Sequence, residues 1–337
     1  MSSPDRAWCF GLPKADVHVH LEGCIPSDVL RSAATLHGVE VPARAERQDL
    51  AGLLEHLDAS CRLFDSPALL SELAQRFTRR CSWDGVVTAD LIVNPSHWPA
   101  WNGRIPDMVA ALDDGFSDAE SDGHPSVRLL LSLRRDQSRE DALAMVDTLV
   151  AMEHPRVVGL SIDGDEASSG PTGERFAPAF QRAAEHGLHR AVHAGESSGP
   201  DGVRDAIELL LAERIDHGVR AVEDPALVAD LIERGIPLDV CPSSNLALGL
   251  YPILHSHPVE ELRRAGVRVS LGTDDPELLG GDLTHEYHSS AAAFGWDRET
   301  TAALARTSIE VSFAPAALKA DLLERHDAYV RASLQPG

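Results

Sequence analysis

The stretch that decides the fold lies near the start of the chain and reads Lys14-Ala15-Asp16-Val17-His18-Val19-His20-Leu21-Glu22-Gly23. Apolar and polar residues alternate in it, which predicts a β-strand with His18 and His20 on one face. Two imidazoles at positions i and i+2 of a strand point the same way and lie close enough to share one metal ion. Gly23 permits a sharp turn out of the strand. The histidine pair alone is weak evidence for a metal site, so the rest of the chain has to supply the other ligands.

Length and composition indicate a single α/β barrel domain that spans residues 1–337. The chain has 43% hydrophobic and 25% charged residues, which is enough for a large core under a charged surface. Its 30 basic and 53 acidic residues give a formal net charge of −23. Such a surface repels phosphate backbones, so we expect no nucleic-acid partner and a neutral or cationic small-molecule substrate.

The five cysteines are odd in number and widely spaced, and no two of them form a Cys-x-x-Cys pair. This pattern argues against a disulfide framework and a structural zinc site, and favours a reducing compartment. The first 13 residues show no basic segment followed by an apolar run, and no stretch has the roughly 20 apolar residues that cross a membrane. We therefore expect a cytoplasmic protein with no membrane partner.

Strand-like and helix-like segments alternate along the chain. Several of the strand-like segments are short and almost continuously apolar, as strands buried on both faces should be. The eight segments are 16–20, 86–93, 127–133, 157–162, 189–193, 214–217, 237–241 and 267–272. Strand–helix alternation repeated eight times predicts a (β/α)8 TIM barrel. Residues 283–337 are predicted to form further helices packed outside it.

The connection after the first strand is long and contains a predicted helix, 48–64. Its apolar face comprises Leu50, Leu53, Leu54, Leu57 and Phe64. Two interpretations remain open for this insertion. It is either a lid over the mouth of the barrel or a helix that packs in the ordinary way.

Polar clusters follow most of the predicted strands, at the barrel end where active sites lie. The clusters are His18-x-His20, 163–166, 193–196, 216–218, 241–245 and 273–276. Three imidazoles and one carboxylate suit a divalent first-row ion such as zinc. Of the sixteen histidines, four lie at the ends of predicted strands, and only these four are candidate site residues: His18, His20, His193 and His217.

Five segments together resemble the adenosine deaminase family, which comprises metal-dependent aminohydrolases of the amidohydrolase superfamily. They are 13–23, 193–196, 214–218, 241–245 and 272–276, in the family's order and spacing. The resemblance implies a barrel with one zinc ion per subunit, or another divalent first-row metal. It implies a reaction that hydrolyses the exocyclic amine of a 6-aminopurine to the 6-oxo product and ammonia.

The resemblance also implies roles for individual residues. The implied zinc ligands are His18, His20, His193 and Asp274. Glu196 is implied to protonate the purine ring at N1, which requires a raised carboxyl pKa. His217 is implied to lie beside the attacking water, where it accepts a proton or orients the oxygen for attack on C6.

Three further residues are implied to contact the substrate. Asp275 resembles the residue that hydrogen-bonds N7, and Gly164 the residue whose backbone N–H meets N3. Glu22 stands where many adenosine deaminases have an aspartate that contacts the ribose, and adenine deaminases of the family often show this Leu-Glu-Gly. A longer carboxylate either reaches a ribose or fills its space. In contrast, the Gly164-Asp165-Glu166 segment looks more like adenosine deaminases, although Ser161 replaces a frequent aspartate.

Several functions stay open from the sequence. The leading one is deamination of adenosine or 2′-deoxyadenosine. The alternatives are deamination of adenine or of a larger adenine compound such as aminodeoxyfutalosine, ester or amide hydrolysis, and a catalytically weak binding protein of the same fold. Trp98 and Trp101 either form a pocket wall or pack a loop. The oligomeric state is left open.

Overall fold

Eight parallel strands form the frame of the chain in the computed structural model, which describes residues 3–43 and 50–334. Each strand pairs with the next in sequence, so the order around the sheet is β1 to β8. The strands are β1 Lys14–His20, β2 Val86–Val93, β3 Ser126–Arg134, β4 Val157–Asp163, β5 His189–Ala194, β6 Arg214–His217, β7 Leu238–Val240 and β8 Val269–Leu271. The predicted TIM barrel is confirmed.

The barrel closes through the segment that follows β8. The backbone N–H of Asp274 donates to the carbonyl of His18, and the N–H of His20 donates to the carbonyl of Asp274, both at 2.9 Å. These two bonds form a parallel bridge between Val19 and Asp274. The closing contact thus brings three of the predicted metal ligands to one point of the backbone.

The helices surround the barrel. In the described residues they are α1 Arg6–Gly11, α2 Ser27–His37, α3 Leu50–Cys61, α4 Pro67–Trp83, α5 Ile105–Ser121, α6 Arg139–Met152, α7 Glu166–Ser169, α8 Gly173–Glu185, α9 Pro200–Glu208, α10 Pro225–Arg234, α11 Pro242–Ala247, α12 Val259–Ala265, α13 Pro276–Leu279, α14 Leu283–Phe294, α15 Arg298–Val311 and α16 Ala316–Leu334. Within this part of the chain, none of them is long and apolar enough to cross a bilayer.

Local sequence explains where several helices begin and end. The hydroxyl of Ser138 accepts a hydrogen bond from the backbone of Asp141 and so caps α6. Gly235 follows α10 with φ of +69°, a left-handed conformation that costs glycine little. All seven residues of β1 are buried, because the barrel interior covers one face and helices such as α15 cover the other.

The predicted helix in the long first connection is present as α3. Leu53 and Leu57 are buried, whereas Gln48, Asp49 and the side chain of Leu50 lie outside the described residues. The predicted C-terminal helices are α14, α15 and α16. Of that prediction, residues 335–337 are not part of the described chain.

Candidate active site

A cavity of about 530 Å³ opens at the carboxyl ends of the strands, where the sequence places the site. Three leucines of α3 cover it, so this helix takes the lid position. The lining residues are His20, Glu22, Leu53, Leu54, Leu57, His97, Asp163, Gly164, His193, Glu196, His217, Leu248, Asp274 and Asp275. Eight of the nine predicted site residues line this cavity, and the ninth, His18, is fully buried against His193.

Four distances among the predicted metal ligands are close to those of a tetrahedral site. The Nε2 atom of His193 lies 3.1 Å from that of His18 and 3.0 Å from that of His20. Oδ1 of Asp274 lies 3.7 Å from His18 Nε2 and 3.5 Å from His20 Nε2. Ligands at about 2.0–2.1 Å from a tetrahedral zinc ion would be about 3.3 Å apart. The donor set therefore fits a divalent cation of that kind.

The charges around this cluster favour a cation. Burial lowers the pKa of His18 and His193 well below the usual range, so both imidazoles are in the neutral form that binds metals. Burial also lowers the pKa of His20, but four carboxylates outweigh this and raise the pKa to about 9. These carboxylates belong to Asp275, Asp274, Asp163 and Glu22.

A second ligand set shares three of the same residues. His18, His193, His217 and Asp274 each offer a ligand atom within 4.8 Å of the others. His217 differs from His20 in its other contacts, since its Nε2 atom lies 3.5 Å from Glu196 Oε1 and 3.9 Å from Asp274 Oδ2. His217 also has φ of +68°, and Asp274 has φ of +62°. Left-handed backbone is rare for such residues and clusters at functional sites.

Buried polar groups hold the cluster from behind. Nδ1 of His193 lies 3.6 Å from Oδ2 of Asp216. The other carboxylate oxygen of Asp216, Oδ1, accepts a hydrogen bond from the guanidinium of Arg214. Nδ1 of His18 lies 3.3 Å from the carbonyl of Asp239. The hydroxyl of Ser244 donates to Asp274 Oδ2 at 2.6 Å. Such contacts fix the orientation of metal-binding side chains.

Glu196 lies in an environment that suits a neutral carboxylic acid. Burial raises its pKa well above the usual range, and the charges of Asp274 and Glu166 add to this. Its backbone is held by Glu166, whose two carboxylate oxygens accept from four successive N–H groups, 195–198, at 2.8–3.2 Å. Glu166 had no predicted role, although it lies in the predicted polar cluster 163–166.

Glu22 is fixed by the tryptophan loop after β2. Its Oε1 atom accepts from the indole of Trp98 at 2.6 Å and from the backbone N–H of Asn94 at 2.8 Å. Among the described residues, its buried Oε2 atom has no hydrogen-bond partner. Trp98 and Trp101 are fully buried and are not among the residues that line the cavity, which favours the second of the two alternatives, packing of the loop. Trp98 acts on the cavity through Glu22.

Two glycines near the cavity are required by close packing or by backbone conformation. A Cβ on Gly23 would lie 2.0 Å from Asp275 Oδ1, so close packing requires glycine there, whereas a sharp turn was expected. A Cβ on Gly164 would meet no described protein atom within 3.6 Å, but its φ of +100° excludes most other residues. Burial raises the pKa of Asp275 well above the usual range, which favours the protonated form as a hydrogen-bond donor.

Four further residues of this region were missed or given no role. Asp163 and His97 line the cavity, and Nδ1 of His97 lies 2.7 Å from Asp58 of α3. Asn245 contacts Glu196 and His217, and His257 contacts Asn245. The motif 241–245 contained a clue to Asn245. His257 stands in a loop between helices, and no local pattern distinguishes it.

Comparisons with known proteins agree with this arrangement. The family model described as adenosine deaminase matches residues 13–329. The adenine deaminase of Agrobacterium fabrum is 32% identical over 319 residues, which cover 93% of this chain and 98% of that protein. The adenine deaminase of Cupriavidus taiwanensis is 33% identical over 323 residues, with 94% and 91% covered.

Two solved structures have the same fold. The adenine deaminase of Arthrobacter aurescens superposes with a TM-score of 0.89 at 29% identity, covering 95% of this chain and 99% of that chain. An amidohydrolase from Burkholderia ambifaria with bound zinc also has a TM-score of 0.89, at 27% identity, with 98% and 95% covered.

Proposed function

Because this chain belongs to the adenosine deaminase family and the relatives described above include adenine deaminases, we propose that its substrate is the free base adenine. One observation carries the choice of substrate. Glu22 is pinned through Oε1 by Trp98 and Asn94, while Oε2 is buried at the cavity and lacks a hydrogen-bond partner among the described residues.

A free adenine supplies the group that this oxygen lacks. Its imidazole ring carries an N–H, and a buried carboxylate oxygen without a partner is costly until it accepts one. In a nucleoside the same nitrogen carries the ribose, so that donor is absent. A glutamate fixed at this position therefore favours the base over the nucleoside. The relatives named adenine deaminase support the same choice.

The charge of the cavity disfavours nucleotides. Five acidic residues line it, and within the described part of the chain no lysine or arginine does. The five are Glu22, Asp163, Glu196, Asp274 and Asp275. Glu196 and Asp275 act in their protonated forms, so the repulsion of a phosphate group comes from Glu22, Asp163 and Asp274, whereas a neutral base is not repelled.

The proposed chemistry assigns a role to each predicted residue. One zinc ion held by His18, His20, His193 and Asp274 would supply Lewis-acid activation of the attacking water. Glu196 gives its proton to N1 as the ring carbon C6 is attacked, and this offsets the electrons that move onto N1. His217 hydrogen-bonds the attacking oxygen. Asp275 in its protonated form donates to N7, and the backbone N–H of Gly164 meets N3.

The balance of the reaction is simple. The oxygen of water bonds to C6 and the bond from C6 to the exocyclic amine breaks. Of the two protons of that water, one replaces the proton that Glu196 gave to N1 and the other goes to the amine, which leaves as ammonia and gives the 6-oxo base hypoxanthine. Deamination of adenosine or 2′-deoxyadenosine stays a prediction of the sequence analysis. Larger adenine compounds would have to place their substituent where Glu22 stands.

The test is ammonia release by the zinc-loaded protein with adenine, adenosine and 2′-deoxyadenosine at equal concentrations. We expect adenine to have the highest kcat/KM. In Glu22→Asp, which shortens the side chain by one methylene, we expect the adenine rate to fall and the ratio of adenosine to adenine to rise. A wild-type preference for the nucleosides would overturn the choice of adenine. No release from any of the three, with zinc retained, would overturn adenine and both nucleosides as substrates and point to a larger adenine compound or another aminated ring.

A further inference from the structure

His257, which lies outside the cavity, sets the orientation of the buried side-chain amide of Asn245 beside Glu196. His257 is 3% exposed and precedes α12. Its Nδ1 atom lies 3.2 Å from the backbone N–H of Val259, which can only donate. Nδ1 of His257 is therefore an unprotonated acceptor, and the neutral ring carries its proton on Nε2. Burial lowers the pKa of His257 to about 3, which agrees with a neutral ring.

The proton on His257 then determines how Asn245 is turned. Nε2 of His257 lies 3.0 Å from Asn245 Oδ1, and an N–H requires an acceptor at that position. The amide oxygen must face His257, so the NH2 group faces the cavity side. There Nδ2 lies 3.3 Å from Glu196 Oε1 and 3.4 Å from His217 Nδ1. Asn245 is fully buried, so water does not compete for these contacts.

We propose that Asn245 and His257 are positioning residues that fix where the protons of Glu196 and His217 reside. Because Glu196 Oε1 accepts from Asn245, the proton of the carboxylic acid belongs on Oε2. Because His217 Nδ1 accepts the second N–H of the same amide, the proton of neutral His217 belongs on Nε2. That nitrogen lies 3.5 Å from Glu196 Oε1 and 3.9 Å from Asp274 Oδ2, so the N–H of His217 points to the side of the cavity where the proposed acid and metal ligand lie.

This assignment narrows the two roles that the sequence left open for His217. A ring with its proton on Nε2 can orient an oxygen by donating to it, but cannot take a proton through that nitrogen. His257 does not line the active cavity; it lines a separate groove together with residues such as Tyr251 and His255. The hydrogen bond to Asn245 is the contact through which a change at His257 is expected to reach the reaction.

The kinetic test compares two replacements of His257. His257→Leu removes the donor and leaves Asn245 free to turn its NH2 group away from Glu196. His257→Gln offers an amide N–H in place of the imidazole N–H. Losing a buried hydrogen bond to a charged or reacting group costs about 1.5–3 kcal/mol, which is about 10- to 100-fold. We expect that loss in kcat for His257→Leu, with KM within about threefold. We expect His257→Gln to recover most of the rate.

A matched control lies two residues away. His255 is exposed, lines the same groove as His257 and contacts the carbonyl of Ala293. We expect His255→Leu to keep the wild-type kcat and KM. A wild-type kcat in His257→Leu, a loss confined to KM, or equal impairment of His257→Gln and His257→Leu would each overturn the proposal. Zinc content and circular dichroism must match the wild type for the comparison to count.

A measurement on the unmutated protein covers the case in which His257→Leu does not fold. With 15N-labelled histidine, two-bond nitrogen–proton couplings report which ring nitrogen carries the proton, and the spectrum of His257→Gln identifies the His257 resonances. We expect the Nε2–H form for both His257 and His217 in the zinc-loaded protein. An Nδ1–H form at either ring would overturn the proposal.

The inference rests on the proposed deaminase function but not on the choice between adenine and its nucleosides. The kinetic arm uses whichever of these substrates is turned over. The NMR arm needs no turnover, so a failed activity assay and a failed tautomer assignment are separate results.

Discussion

Replacing Trp98 by phenylalanine tests whether Glu22 binds the substrate. It distinguishes an effect on substrate binding from the loss of stability that any change in the buried loop after β2 would cause. The indole N–H of Trp98 donates to Glu22 Oε1, and phenylalanine keeps an aromatic ring without that donor. Trp101 offers a matched control, because it is also fully buried and its indole donates to the carbonyl of Phe64. Both substitutions remove one buried hydrogen bond and a similar volume.

The expected magnitude follows from the contacts of Glu22 Oε1. A hydrogen bond to a buried carboxylate contributes about 1.5–3 kcal/mol, and 1.4 kcal/mol is tenfold. The backbone N–H of Asn94 still donates to Oε1 at 2.8 Å, so Glu22 does not lose its position completely. We therefore expect the lower end, a loss of about tenfold in kcat/KM for adenine. The same donor also lowers the pKa of Glu22 against the effect of burial, so its loss further favours the protonated, poorly accepting form.

The assay pairs steady-state ammonia release with thermal unfolding of both variants. We expect Trp98→Phe and Trp101→Phe to lower the unfolding temperature to a similar degree, because each leaves a buried acceptor without its donor. Only Trp98→Phe should lower kcat/KM for adenine. Wild-type kcat/KM in Trp98→Phe, or an equal loss in Trp101→Phe, would refute a role for the Trp98–Glu22 contact in substrate binding.

The remaining predictions concern the catalytic acid, one metal ligand and one glycine. Glu196→Gln should keep the fold and the zinc content but lose at least about 100-fold in kcat; a zinc-loaded, active variant would exclude N1 protonation by Glu196. Because burial raises the pKa of Glu196 well above the usual range, kcat/KM should hold below that pKa and fall as the pH rises through it; a rate that increased with pH there would identify the deprotonated form as active. Asp274→Ala should reduce the zinc retained after dialysis, and unchanged zinc would remove Asp274 from the ligand set. Gly23→Ala would bring a Cβ into collision with the side chain of Asp275, so the relative loss in kcat/KM should exceed the relative loss in the free energy of unfolding. Wild-type kinetics would mean that Asp275 has room to move.

The barrel and most of its cavity could be predicted because both depend on short-range patterns. Alternation of apolar and polar residues located β1, and short, almost continuously apolar runs located several of the other strands. The carboxyl ends of parallel strands meet at one edge, so polar residues after the strands must converge. His193 and Asp274, 81 positions apart, could therefore be assigned to one cluster. The predicted bounds of β7 and β8, 237–241 and 267–272, were too long, because each strand has three residues in the structure.

The parts that could not be predicted depend on contacts between distant segments. Nothing in the loop after β2 indicates that the indole of Trp98 would reach Glu22, 76 positions earlier. The reason for glycine at position 23 is Asp275, which packs against it but lies more than 250 positions later in the sequence. His257 was given no role because a histidine in a loop has no local feature that reveals its partner. Each of these contacts exists only after the barrel has closed.

The left-handed backbone at Asp274 links closure of the barrel to assembly of the site. A residue with φ of +62° is strained by roughly 1–2 kcal/mol, so it persists only where its surroundings hold it. Asp274 is held on both sides by the pair of backbone hydrogen bonds to β1, through its own N–H and through its carbonyl. Those are the bonds that close the barrel, and their partners are His18 and His20. A chain that has not joined β1 to the segment after β8 therefore lacks both the strained carboxylate and its two nearest imidazoles at one point. Closure of the barrel and the proposed metal site therefore depend on the same pair of hydrogen bonds, which explains why the His-x-His stretch organises both.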